Sequence, residues 1–169
     1  SWKKIVAYAA KHQVRIHTHL SETVTEVEVA MKQYGKTPTR FFEDIGLWEQ
    51  KVTAAHSVVL TPEDIAILGK HRVGVVHNPE SNMKLGTLAA PMVELRRAGA
   101  NAGIGTDSTA SNNNLDLFLE ADFAAKLQSF KYGAAVRAHE QAAVDRYKGI
   151  ESQSGQLAQD AAAARDRAA

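Results

Sequence analysis

Cysteine is absent from the 169 residues, which excludes disulfides and thiolate metal ligands and leaves His, Asp and Glu as the side chains able to hold a metal. No stretch approaches the ~18 apolar residues of a membrane span, and the opening SWKKIVAYAAKH lacks the apolar core and small-residue cleavage site of a secretory signal. A cytoplasmic protein with no membrane partner is expected. Neither sign of charge dominates, with 20 Lys and Arg against 19 Asp and Glu and a formal net charge of +1, so nothing electrostatic argues for a nucleic-acid partner. A neutral small-molecule substrate is easier to accommodate.

What is present is an alternation of helical and strand-like segments. Trp2, Ile5, Val6, Ala9 and Ala10 recur at helical spacing and predict a helix ending near His12. VRIHTH reads as a strand, and a helix follows over 23–33 with Val24, Val27 and Met31 on one face. Pro38 opens a short helix through Phe41, Phe42 and Ile45 that Gly46 stops. KVTAAHSVVL is a second strand, and TPEDIAILGKH a helix with a Thr cap, Pro at its first position and acids in its first turn. RVGVVH is a third strand, NPESNMKLGT a polar loop, Ala90–Ala98 a helix, NAGIG a fourth strand and TDSTASNNN a closing loop.

This is the α/β pattern of a parallel sheet covered by helices. Residues 1–133 hold four parallel βα units, the unit from which (β/α)-barrels are built. Residues 134–169 differ in character, being rich in Ala, Gln, Arg and Asp. They read as a helical tail with a weak apolar stripe through Val136, Val144 and Tyr147 and no chemistry of its own.

Each strand delivers a polar candidate at its C-terminal end: His17 and His19, then His56, then His77, then Asp107. The βα loops of such barrels converge on that rim. His17 and His19 are two apart on a strand and share a face, with Glu22 just beyond. Taken singly, each has a plainer reading: buried hydrogen-bonded histidines, an early-helix glutamate favouring the helix dipole, a loop network around His77, Ser81 and Asn82, and an Asp107 that caps a turn. Taken together, imidazoles and a carboxylate at one end of one sheet suit a Zn or Fe site that acidifies a bound water. Glu22 is then the proton carrier.

The segments HTHLSET, AAHSVVL, VVHNPESNMKLG and GIGTDSTASNNNLDLF, in that order, resemble the amidohydrolase superfamily. The likeness is to its branch of S-adenosylhomocysteine/5-methylthioadenosine deaminases and triazine chlorohydrolases, over roughly Val14 to Gln128. The resemblance implies a partial (β/α) TIM-type barrel, a half-barrel over 1–133 made of strands five to eight, and a divalent metal, zinc before iron. It makes His19 the strand-five metal ligand and Asp107 the strand-eight ligand, which also takes a proton from water. Glu22 shuttles a proton to a ring nitrogen, and His56 joins the metal or hydrogen-bonds the attacking water. His77, Ser81 and Asn82 line the loop near a substrate of purine nucleoside type.

Members of this family open with an HxH motif on the first strand, and no segment here corresponds to strands one to four. The HTH of this chain precedes LSET and fits strand five. The expectation is therefore a metal-dependent deaminase fragment of impaired activity. The rival is a non-catalytic, truncated or engineered half-barrel that self-assembles. Either form leaves two open sheet edges, with Val14, Ile16, Val52, Val75 and Ile104 or their strand neighbours facing water, and invites a homo-oligomer that closes the barrel.

Overall fold

A computed structural model describes residues 1–133 together with Gly149, Gln153 and Gln156. The expected tail, with its stripe of Val136, Val144 and Tyr147, lies outside the described residues. The chain separates into two compact units, Ser1–Ser129 and Phe130–Ala169.

In the first unit the elements alternate as α1 (Trp2–His12), β1 (Ile16–Leu20), α2 (Val24–Tyr34), α3 (Pro38–Asp44), β2 (Val52–His56), α4 (Pro62–Lys70), β3 (Gly74–His77), α5 (Pro79–Lys84), α6 (Met92–Ala98) and β4 (Asn101–Ile104). Residues 117–129 are helical as well, as are the described residues 130–133 of the second unit. The four strands lie parallel in sequence order, the arrangement that successive βα units of one hand generate.

Threonine starts three of the helices. Thr23, Thr37 and Thr61 each accept the backbone N–H of the residue three positions on. At α4 the bond is reciprocal, because Asp64 takes the Thr61 N–H at 2.9 Å. The other Asp64 oxygen accepts the Thr37 hydroxyl at 2.6 Å, so one carboxylate closes α4 and ties it to the start of α3. Pro38 and Pro62 occupy first-turn positions where no N–H is required.

One face of the sheet is buried under the helices. Leu20, Val75, Leu68 and Leu95 are wholly inaccessible, and Ile16, Val52, Phe42 and Trp48 pack with them. Gly69 permits the closest helix contact: a Cβ there would collide with the Ala98 carbonyl, so the absence of a side chain sets how near α4 and α6 lie.

Ile16, Val52 and Val75, expected to face water, are 7 %, 8 % and 0 % exposed and belong to this core. Their neighbours take the open face. By register His17 sits beside Thr53, Thr53 beside Gly74, and Gly74 beside Asn101. With His19, Ala55, Val76 and Gly103 in the next row, that surface is mostly small and polar.

Two local expectations also change. Val24 and Met31 are 52 % and 46 % exposed, and α2 instead buries Ala30. The reason is Glu26, whose carboxylate is drawn to the backbone N–H groups of Ser21 and Glu22 and so fixes which face of α2 turns inward. The segment expected to be a polar loop contains α5, with Asn78 at its N-cap and Pro79 in its first turn.

Candidate metal centre

Three of the expected residues converge. Among the described residues, His19, His56 and Asp107 form a group whose potential ligand atoms all lie within 4.8 Å of one another. His19 projects from the open face of β1, its ring stacked on that of His56 with centroids 5.2 Å apart. His56 ends β2 and is 1 % exposed. Asp107 follows β4 and is partly exposed.

The backbone is forced at these points. His56 has φ 68°, Asp107 φ 61°, and Ser21, between His19 and Glu22, φ 47°. Left-handed conformations in non-glycine residues cost of order 1–3 kcal/mol and persist where surrounding bonds impose them. Here the bonds are visible: Ser57 N–H reaches the Leu20 carbonyl at 2.8 Å, and Val58 and Val59 both donate to Ser21 O. The turn after β2 is thus locked onto the end of β1, which brings His56 beside His19.

Carboxylates surround the His56 ring. Its Nε2 lies 3.7 Å from Glu22 Oε2 and 3.7 Å from Asp107 Oδ2. Burial acts to raise the Asp107 carboxyl. The Ser81 hydroxyl, the Ser108 N–H, the Ser111 hydroxyl and the nearby His56 ring outweigh it, so Asp107 stays below the ordinary carboxylate range and keeps its charge readily. Two imidazoles and an ionised carboxylate are the donor set that borderline divalent cations take. The residues fit such an ion.

His77, Ser81 and Asn82, expected near a substrate, are enclosed by the protein. His77 is wholly buried at the end of β3, and Ser81 and Asn82 are buried on α5. The helical turn begun at Pro79 points consecutive side chains at the candidate ligands: Ser81 Oγ donates to Asp107 Oδ2 at 2.6 Å, and Asn82 Oδ1 meets His56 Nδ1 at 2.9 Å. His17 is exposed on the same face as His19 but outside the convergent group.

Sequence reasoning missed two supports. Glu26 accepts Ser21 N–H at 2.9 Å and Glu22 N–H at 2.7 Å, and so holds the turn that carries Glu22. The Thr-x-x-Glu spacing of Thr23 and Glu26 was the available signal. Glu120 is wholly buried and receives the Glu80 N–H at 3.0 Å and the Asn112 side-chain amide. Burial, with Glu80 and Asp107 nearby, raises its carboxyl above the usual range against those two bonds. No spacing rule marks it, because one partner, Glu80, lies on α5 forty residues away and the other, Asn112, in the loop after β4.

A family model described as the amidohydrolase family matches residues 2–147. The chain belongs to the amidohydrolase family. This amidohydrolase chain is 51 % identical over 117 residues to the 5-methylthioadenosine/S-adenosylhomocysteine deaminase of Desulforamulus reducens, covering 69 % of this chain and 27 % of that protein. With the protein of the same name from Desulforudis audaxviator it is 47 % identical over 131 residues, 78 % of this chain and 30 % of the relative.

Among solved structures, a zinc-bound adenosine deaminase from Xanthomonas campestris superposes with a TM-score of 0.75 at 36 % identity, over 78 % of this chain and 30 % of that one. Atrazine chlorohydrolase from Arthrobacter aurescens, complexed with zinc, gives 0.64 at 33 % identity over 69 % and 25 %. This chain therefore spans less than a third of the length of these relatives. Its four parallel βα units are part of their barrel.

Proposed function

We propose that this amidohydrolase chain supplies one side of a metal-dependent deaminase site, acting on adenosine-type nucleosides related to 5-methylthioadenosine and S-adenosylhomocysteine. The observation that carries the reading is the convergence of His19, His56 and Asp107 within 4.8 Å at the C-terminal ends of their strands. The relatives' names support the substrate class, and their bound zinc supports zinc before iron.

When bound, the divalent cation supplies Lewis acidity that brings the pKa of a water toward neutrality. The remaining roles fall to the chain. Asp107, held ionised by Ser81 and Ser108, accepts a proton. Glu22, 24 % exposed beside His56, carries a proton to a ring nitrogen of the base. Water adds to the amino-bearing carbon and ammonia leaves. Ser81 and Asn82 support Asp107 and His56 in these roles.

A non-catalytic, self-associating half-barrel is the second reading, favoured by the two edges that the four-stranded parallel sheet leaves unpaired among the described residues. Metal analysis followed by zinc calorimetry separates the two. Zinc binds the wild-type chain in the first reading, and more weakly as pH falls, because imidazole ligates only when neutral. His19→Ala should then weaken binding by more than the ~10–100-fold that loss of a ligand's outer partner costs. Equal binding by both proteins would place the metal elsewhere. An ammonia-release assay on adenosine-type substrates tests the deaminase assignment itself.

A further inference from the structure

We propose that Asn82 is a positioning residue that holds a proton on His56 Nδ1 and so leaves the lone pair on Nε2, the nitrogen that faces Glu22 and Asp107. The idea rests on the metal-binding reading for its purpose, but not for its first test.

The argument is one of donors and acceptors. Asn82 is 1 % exposed, and the two ends of its amide have different partners. Nδ2 lies 3.1 Å from the Leu88 carbonyl oxygen, and the other end lies 2.9 Å from His56 Nδ1. A carbonyl only accepts, so the atom facing Leu88 is the NH2 group. The atom facing His56 is therefore Oδ1, which also only accepts. Nδ1 must then carry the hydrogen. In a neutral ring this places the lone pair on Nε2, the nitrogen that faces Glu22 and Asp107 at 3.7 Å.

The opposite tautomer would set two acceptors against each other at 2.9 Å in a site closed to water, at the cost of a buried unmade bond. Rotating the amide would turn its NH2 on His56 and its oxygen on the Leu88 carbonyl. The backbone of Asn82 is fixed too, because its carbonyl accepts the Thr87 N–H at 2.8 Å and the Thr87 hydroxyl at 3.2 Å. The turn after α5 therefore sets the protonation pattern of a ligand on another strand. Leu88 contributes only its carbonyl, since its side chain is exposed.

The test is nitrogen NMR of the imidazoles in the metal-free, 15N-labelled full chain, with His56 assigned by loss of its signals in His56→Gln. A proton on Nδ1 is the expected result, and an Nδ1 without one overturns the proposal. Asn82→Asp keeps an acceptor and should keep that proton. Asn82→Leu should spread the proton over both nitrogens and weaken zinc binding ~10–100-fold, whereas Leu88→Ala, which retains the carbonyl, should change neither.

An unaltered proton position in folded Asn82→Leu overturns the proposal. If that variant does not fold, the wild-type and Asn82→Asp spectra still decide. Failure of the wild-type chain to bind zinc would count against the metal reading alone and leave the proton assignment standing.

Discussion

Glu22 and Glu26 lie four residues apart and do different work. Glu26 spends both carboxylate oxygens on backbone N–H groups at 2.9 and 2.7 Å, while Glu22 Oε2 faces the His56 ring. Glu26→Ala is expected to cost about 2 kcal/mol and to lower the melting temperature by roughly 4–8 °C. Glu22→Gln should leave stability within about 0.5 kcal/mol while removing proton transfer worth ~10²–10⁴-fold in any hydrolysis. Thermal melts of the two variants side by side check the contrast, and equal losses would put Glu22 among the structural supports. At this scale His19, Glu22, His56 and Asp107 were legible because strand ends are marked by runs of apolar residues. The direction of the Ser81 and Asn82 side chains, toward Asp107 and His56, was not legible, since it depends on a helix, α5, that NPESNMKLG does not announce.

Among elements, the packing of α3 on α4 carries the clearest pH dependence. Burial acts to raise the Glu43 carboxyl, but Lys70 at 3.0 Å and His71 at 2.7 Å outweigh it and hold it below its ordinary value. A carboxyl lowered in the folded state contributes stability above its unfolded value and loses it as pH falls through the folded one. Urea unfolding of the wild type should therefore weaken on acidification, and Glu43→Gln should remove about 0.5–1 kcal/mol at neutral pH and flatten that part of the slope. Glu120 works in the opposite sense, its raised carboxyl favouring the fold at low pH and losing that contribution as pH rises. Gly69→Ala tests the other face of α4. The added methyl meets the Ala98 backbone rather than a flexible side chain, so a loss of about 1–3 kcal/mol is expected by chemical denaturation.

The helix-and-strand alternation was readable because threonine caps, prolines and apolar strands recur in order. The inward face of α2 was not. Counting apolar residues favoured Val24 and Met31, whereas the hydrogen bonds of a polar residue, Glu26, decide the rotation.

At the scale of the molecule, four parallel strands leave the outer edges of β1 and β4 unpaired within the first unit, and a closed barrel of this kind takes twice as many units. The half-barrel reading expected Val14, Ile16, Val52, Val75 and Ile104 or their strand neighbours on the open face. The register places His17, Thr53, Gly74 and Asn101 there, so the drive to cover it comes less from apolar area than from unsatisfied strand edges. Edge pairing is directional and permits a second copy to add its strands, whereas an apolar patch would favour indiscriminate clustering. The chain by itself is therefore expected to associate reversibly into small, defined oligomers. Light scattering coupled to size exclusion over a range of concentrations checks this. A proline at His17 or Asn101, on the two edge strands, should lower the association by interrupting the edge, and a monomer at every concentration in the wild type would show that these edges need no partner strand.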